Sequence, residues 1–288
     1  DGWARGAIRF TSRLDEEPRP ASVRLDLEAR LGLRDARKLF DENIAAILDN
    51  FESAAPVEAK IEGALFNRAY PEFDGLSFID IRAQSDAPLR YKKLPLDGLS
   101  FQLFGRDGVT HLRDLRMGFA GGTVQARADI LTPADETASL RFEGDLKDAD
   151  QAAVDDLLEK ILQQSEESEP ADDPKKSGQL DLQLHAEGLA DQITGFTGNG
   201  QFEVRNEQLA AIQLFGPISK LLERSQLGYT TFALERMRGD FDLNRAQVHF
   251  ENLQIDGPRT RIEAPGQLDL SDQSLNMRVS VYLFGNAG

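Results

Sequence analysis

Apolar and hydrophilic residues alternate with a period of two along much of the chain, most cleanly in its last third. Leu180, Leu182, Leu184 and Ala186 alternate with Asp181, Gln183, His185 and Glu187, and Phe202 and Val204 with Gln201, Glu203 and Arg205. Phe241 and Leu243 alternate with Asp240, Asp242 and Asn244, Leu268 and Leu270 with Gln267 and Asp269, and Met277, Val279, Val281 and Leu283 continue the series. Successive side chains of a β-strand point to opposite faces, so each segment has one apolar and one hydrophilic face. Upstream, residues 76–83, 99–104, 109–117 and 123–130 read as successive antiparallel strands. Asp-Gly pairs at Asp74-Gly75, Asp97-Gly98, Asp107-Gly108 and Asp256-Gly257 supply the positive φ angles that tight hairpin turns need.

Three stretches change period and predict amphipathic helices. Phe40, Ile44, Ile47, Leu48 and Phe51 form one stripe over residues 35–51, and Val154, Leu157, Leu158, Ile161 and Leu162 form another over 148–164. A third helix is expected from Pro217, which suits a first turn, with Ile218, Leu221 and Leu222 on its apolar side. Residues 27–36 and 142–149 both run from a strand into Asp-Ala, which makes Asp35 and Asp148 the expected N-caps and hints at a repeated sheet-plus-helix unit. The acidic, proline-broken segment 165–177 reads as a flexible linker or loop. It divides a β-rich region with two helices, 1–164, from a C-terminal β region, 178–288. The fold class is mainly β, an antiparallel sheet with a few amphipathic helices packed on it or capping it.

Composition narrows the function. The chain has 288 residues, starts at Asp1 and is read as a piece of a longer protein. No signal peptide is recognisable, and no run of about 18 apolar residues could span a bilayer. A formal charge of −16 makes nucleic acid and anionic membrane surfaces poor partners, so any affinity for lipid has to be apolar. The absence of cysteine excludes disulfides and thiolate sites.

Catalytic and metal signatures are absent. His111, His185 and His249 are far apart and read as exposed strand histidines, with no zinc-binding spacing. Gly195, Gly198 and Gly200 precede a strand, not a helix, and so mark a turn instead of a phosphate loop. Ser219 and Lys220 are adjacent on the expected third helix and point different ways. Many carboxylates are present, but nothing in the pattern selects a catalytic pair. No catalytic residue, metal ligand or cofactor is assigned.

From Gly200 to Leu222 the chain reads as strand, turn and short helix. Phe232 follows, then Met237-Arg-Gly-Asp-Phe-Asp-Leu243, residues 248–258, and Ile262-Glu-Ala-Pro-Gly-Gln-Leu-Asp-Leu270. This order resembles the C-terminal region of the AsmA-like family of bacterial envelope proteins, over roughly 195–283. The resemblance rests on small, apolar and glycine positions, and no catalytic motif takes part. It implies a long curled antiparallel sheet, a repeating β-groove with an apolar interior. It also implies a parent anchored in the inner membrane of a Gram-negative bacterium and reaching through the periplasm. Such proteins help phospholipid reach, or help to assemble, the outer membrane.

On that reading the partners are phospholipid acyl chains, the inner membrane through other parts of the parent, and periplasmic or outer-membrane proteins. The expected groove lining is Leu180, Leu182, Phe202, Val204, Phe241, Leu243, Leu268, Leu270, Val279 and Val281. The same alternation also fits a closed β core, in which the inward face is simply packed and the protein is a non-enzymatic envelope scaffold.

Overall fold

The computed structural model describes residues 2–12, 21–32, 51–53, 55–67, 75–91, 94–106, 108–132, 137–154, 178–189, 192–206, 234–272 and 274–284. These residues are mainly β and belong to one long antiparallel sheet, with 76% in strands and 3% helical. The chain divides into two compact units. The first comprises Asp1–Phe119 and Val124–Arg141, and the second Ala120–Thr123 and Phe142–Gly288.

In the first unit the strands are β1 (Trp3–Thr11), β2 (Ser22–Leu31), β3 (Phe51–Ser53), β4 (Val57–Phe66), β5 (Phe78–Tyr91), β6 (Leu94–Arg106) and β7 (Val109–Phe119). They pair antiparallel in the order β1–β2–β4–β5–β6–β7, and the short β3 lies on β5. Strands β8 (Gly122–Leu131) and β9 (Ser139–Asp150) contribute residues to both units.

In the second unit β10 (Gln179–Leu189), β11 (Thr197–Arg205) and β12 (Arg236–Asn244) are continuous strands. Beyond them each row of the sheet is two short strands end to end. One row is β13 (Gln247–Phe250) with β14 (Gln254–Gly257), the next β15 (Thr260–Glu263) with β16 (Gly266–Asp269), and the last β17 (Leu275–Met277) with β18 (Ser280–Leu283). The breaks line up. Between the pairs Phe241↔Phe250 and Arg238↔Gln254, three residues, Glu251, Asn252 and Leu253, face two, Gly239 and Asp240. That is a β-bulge. Ala264 and Pro265 lie opposite it, followed by Arg278 and Val279. The Ala264 N–H donates to Leu253 O (2.8 Å) and the Arg278 N–H to Pro265 O (2.9 Å), so two backbone hydrogen bonds span a single crease that crosses three rows.

Several expectations are corrected. The described residues are helical only at Gln151–Val154, apart from one 3-10 turn at Ile193–Gly195. The second helix therefore does not begin at Asp148. That residue lies in β9 with φ 54°, and its N–H donates to Asp181 Oδ1 (2.8 Å). The capping carboxylate is Asp150, whose Oδ1 accepts the Ala153 N–H at 3.0 Å. Phe51, expected to end the first helix, sits in β3 and packs on Tyr91 with ring centroids 4.8 Å apart. The remainder of that helix, the later part of the second, the third, and the 165–177 segment lie outside the described residues.

The Asp-Gly pairs serve different ends. Arg106 pairs with Val109, and Gly108, just before β7, has φ 81°, as a tight hairpin turn needs. Asp97-Gly98 instead lies inside β6, where the registers with β5 and β7 both shift, and its positive φ serves a bulge. Gly257 pairs with Thr260, which puts Pro258-Arg259, not Asp256-Gly257, at the tip of that hairpin. The β7–β8 hairpin turns at Ala120 (φ 50°) and Gly121 (φ 75°), a site without an Asp-Gly signal.

Candidate lipid-facing surface

Strand register assigns side chains to faces, because residues paired across an antiparallel ladder point the same way. In the second unit Leu180 pairs with Val204, and Val204 with Met237. Met237 in turn pairs with Ile255, Ile255 with Ile262, and Ile262 with Val281. A parallel row runs Leu182, Phe202, Gly239, and a third Leu184, Gly200, Phe241, Phe250, Gly266, Met277. Leu243, Val248, Leu268 and Leu275 make a fourth. Of the ten residues expected to line a groove, the register places Leu180, Leu182, Phe202, Val204, Phe241, Leu243, Leu268 and Val281 on one face. Leu270 falls in the turn after β16, where its N–H donates to Ala246 O at 2.7 Å, and Val279 falls in the crease.

That face is largely a packed core. Leu180, Phe202, Val204, Met237, Phe250, Leu253, Ile255, Ile262 and Leu268 are all buried. Leu182, Phe241 and Leu243 are half-buried. Phe202, Phe241 and Phe250 form a triangle with ring centroids 6.2–6.4 Å apart, within the range of favourable aromatic contact. Glycines make room for the rings. A Cβ on Gly200 would stand 2.5 Å from Phe241 Cζ, and one on Gly239 would stand 2.9 Å from Phe202 Cε1.

The first unit is built alike but covered differently. Its apolar face carries Ile8, Leu25, Gly63, Ile79 and Gly105 in one row and Gly6, Leu27, Ile61, Ile81, Leu103 and Leu112 in the next. A third row is Ala4, Ala29, Ala59, Ala83 and Phe101. The buried members are the small ones, Ala29, Gly63, Ala83 and Gly105, while Leu25, Leu27, Ile61, Ile79, Ile81, Phe101, Leu103 and Leu112 are only half-buried. On β1, Ile8 and Phe10 are 50% and 64% exposed. The chain therefore packs one apolar face and leaves another incompletely covered. The alternation in β4 to β7 is the sequence signal for this second apolar face.

The opposite faces are hydrophilic ladders. In the first unit Arg5, Glu28, Lys60, Arg82, Gln102 and Arg113 form one cross-strand row. Arg5 Nη2 meets Glu28 Oε2 at 2.6 Å. A recess of about 800 Å³ lies along this row. In the second unit a recess of about 710 Å³ is walled by Lys147, Asp181, Gln183, Arg238, Asp240 and Glu251 among others. Both linings are mixed: the first recess also touches Trp3, Ala29, Ala59, Ala83 and Phe101, and the second Leu182, Phe202 and Leu253.

No protein-family model, characterised protein or solved structure matches this chain.

His111 and His185 take cross-strand partners. His111 Nδ1 lies 2.6 Å from Asp129 Oδ1, and the ring stacks on Phe104 at 6.4 Å. The hydrogen bond from His111, with Arg113 nearby, holds the Asp129 carboxyl below its ordinary range. His185 Nδ1 lies 3.2 Å from Glu143 Oε1. Burial alone would raise the Asp256 carboxyl, but hydrogen bonds from Gln254 and Arg261, and the charges of Arg261 and Arg238, outweigh it and bring it below normal. Among the described residues no group of three or more His, Asp or Glu side chains is placed to hold a metal ion, and no helix is long and apolar enough to cross a membrane.

Proposed function

We propose that this chain is a lipid-handling segment of an AsmA-like envelope protein. It shields phospholipid acyl chains on an apolar sheet face and so supports phospholipid transport to the outer membrane, or assembly of that membrane. The observation that carries this reading is the half-covered apolar face of the first unit, across β1, β2, β4, β5, β6 and β7. Large aliphatic side chains left partly in water mark an interaction surface. Each methylene moved from water onto that face contributes roughly 0.8 kcal/mol, so a chain of ordinary length binds reversibly without any charged contact. That suits a segment whose net charge is −16.

The proposal includes the curled, groove-like form of the sheet, a periplasmic location, a parent held in the inner membrane, and no enzymatic role. It moves the lipid-contacting residues from the C-terminal strands to Leu25, Leu27, Ile61, Ile79, Ile81 and Leu103. The packed face of the second unit favours the other reading for that unit alone, a closed β scaffold.

Native mass spectrometry of the gently purified chain tests both. Co-purifying phospholipid that is lost in a folded Ile61→Asp variant supports the groove. Retention of lipid by that variant, or lipid lost only when Leu243 is changed to Asp, refutes its placement on the first unit.

A further inference from the structure

Two positions break the alternation on the hydrophilic face of the first unit. Phe78 shares the phase of Asp80 and Arg82 along β5, and Phe104 that of Gln102 and Arg106 along β6. The register agrees, pairing Phe104 with Asp80 on one side and with His111 on the other, and Phe78 with Arg106. In the second unit Phe202, Phe241 and Phe250 all keep to the apolar face. A hydrophilic residue at 78 or 104 would leave no apolar surface in water, whereas each phenylalanine is only half-buried and forgoes part of what burial gives. The strip is interior to the sheet, because β5, β6 and β7 each have a strand on both sides.

The rings form a ladder. Phe78 and Phe104 have centroids 6.5 Å apart and planes 27° from parallel, and Phe104 and His111 have 6.4 Å and 13°. Nearly parallel rings in full face contact stand about 3.5–4 Å apart, so these are displaced and part of each face is left open. Fixed polar groups border them. Gln102 Nε2 donates to both Asp80 carboxylate oxygens at 3.0 Å. His111 Nδ1 lies 2.6 Å from Asp129 Oδ1, and Arg113 Nη2 lies 3.5 Å from the same oxygen.

We propose that this ladder binds an uncharged oligosaccharide laid across β5, β6 and β7, on the face opposite the proposed lipid contact. A pyranose ring has an apolar C–H face and a rim of hydroxyls, and the site is its complement. Apolar rings lie within a rim of donors, Gln102, Arg106 and Arg113, and acceptors, Asp80 and Asp129. An acyl chain would bury that rim without satisfying it. A polyanion, whether nucleic acid or acidic glycan, meets a chain of net charge −16. Arg82 and Gln102 also line the recess of about 800 Å³, which gives a longer glycan room to continue. With three rings and no enclosure the dissociation constant is on the order of 1 mM.

Amide NMR of the full chain, titrated with cellotetraose, chitotetraose or maltotetraose to about 10 mM, tests the proposal. At least one should shift amides around Phe78, Phe104 and His111 and leave β11 to β15 unmoved. Phe104→Ser and Phe78→Ser, each with an otherwise unchanged spectrum, should weaken that binding by about tenfold or more, and Phe104→Tyr should stay within about twofold of wild type. No shift with any of the three sugars overturns the proposal, as does binding that survives both serine variants. Tighter binding of tetragalacturonate or of a thymidine tetranucleotide than of all three would assign the ladder to an anionic ligand and refute the uncharged class.

Discussion

Ile61 in β4 and Ile255 in β14 are isoleucines on the apolar faces of the two units, and truncating each to alanine separates an open face from a packed one. Ile255 is 2% exposed and lies between Met237 and Ile262. Removing three carbons there forfeits about 2.4 kcal/mol of transfer free energy. The walls cannot collapse fully, and a cavity of up to about 80 Å³ adds up to about 2 kcal/mol, for a total of about 4 kcal/mol. Ile61 lies between Leu27 and Ile81 but is only half-buried. Water enters the space it vacates, so no cavity remains, and about half the transfer loss leaves about 1 kcal/mol. Urea unfolding reads the first unit through Trp3, the only tryptophan, which sits on β1 under the Arg5 guanidinium. Hydrogen exchange across β11 to β15 reads the second. Equal losses at the two positions would refute the argument, because they would mean that the first unit's face is as closed as the second's.

Adding phospholipid should raise the stability of the first unit by about 2.7 kcal/mol at a hundred times its dissociation constant and leave β11 to β15 unchanged, as hydrogen exchange would register. Gly200→Ala should cost about 1–3 kcal/mol in thermal unfolding, because its Cβ meets the Gln183 carbonyl oxygen and the Phe241 ring. Asp129 and Asp256 have folded-state pKa values below the ordinary aspartate range, so the stability they contribute is present above that range and is lost as pH falls through their folded values. Stability should therefore decline below about pH 4, and carbon-detected NMR should show the Asp256 carboxyl titrating higher in Arg261→Met than in the wild type.

The strands were legible because alternation is a backbone property: side chains in β10, β11 and β12 change face at every residue whatever surrounds them. Coverage was not legible. Leu27 and Ile255 sit in the same pattern, and only tertiary packing decides that one stays half in water. The helix starting near Asp148 was misplaced because Asp-Ala looks like a cap in isolation, whereas Asp181 ties the Asp148 N–H to the neighbouring strand and leaves capping to Asp150. The crease was hidden because Glu251-Asn252 reads as one more hydrophilic position until its register with Gly239 and Asp240 exposes the extra residue. Asp97-Gly98 misled for a related reason, since a positive φ serves a bulge as readily as a turn.

The crease also bears on how an apolar, nearly uncharged margin stays out of fibrils. Cross-β growth needs an uninterrupted strand of about six or seven residues on which further copies can stack in register. Here the break at Arg278-Val279 cuts the margin into β17 and β18, three and four residues long. Neither piece reaches that length, and a continuous strand laid along both meets the interruption between them. The break thus works as a filter on company: it denies the flat, indiscriminate strand that seeds amyloid the run of backbone it needs.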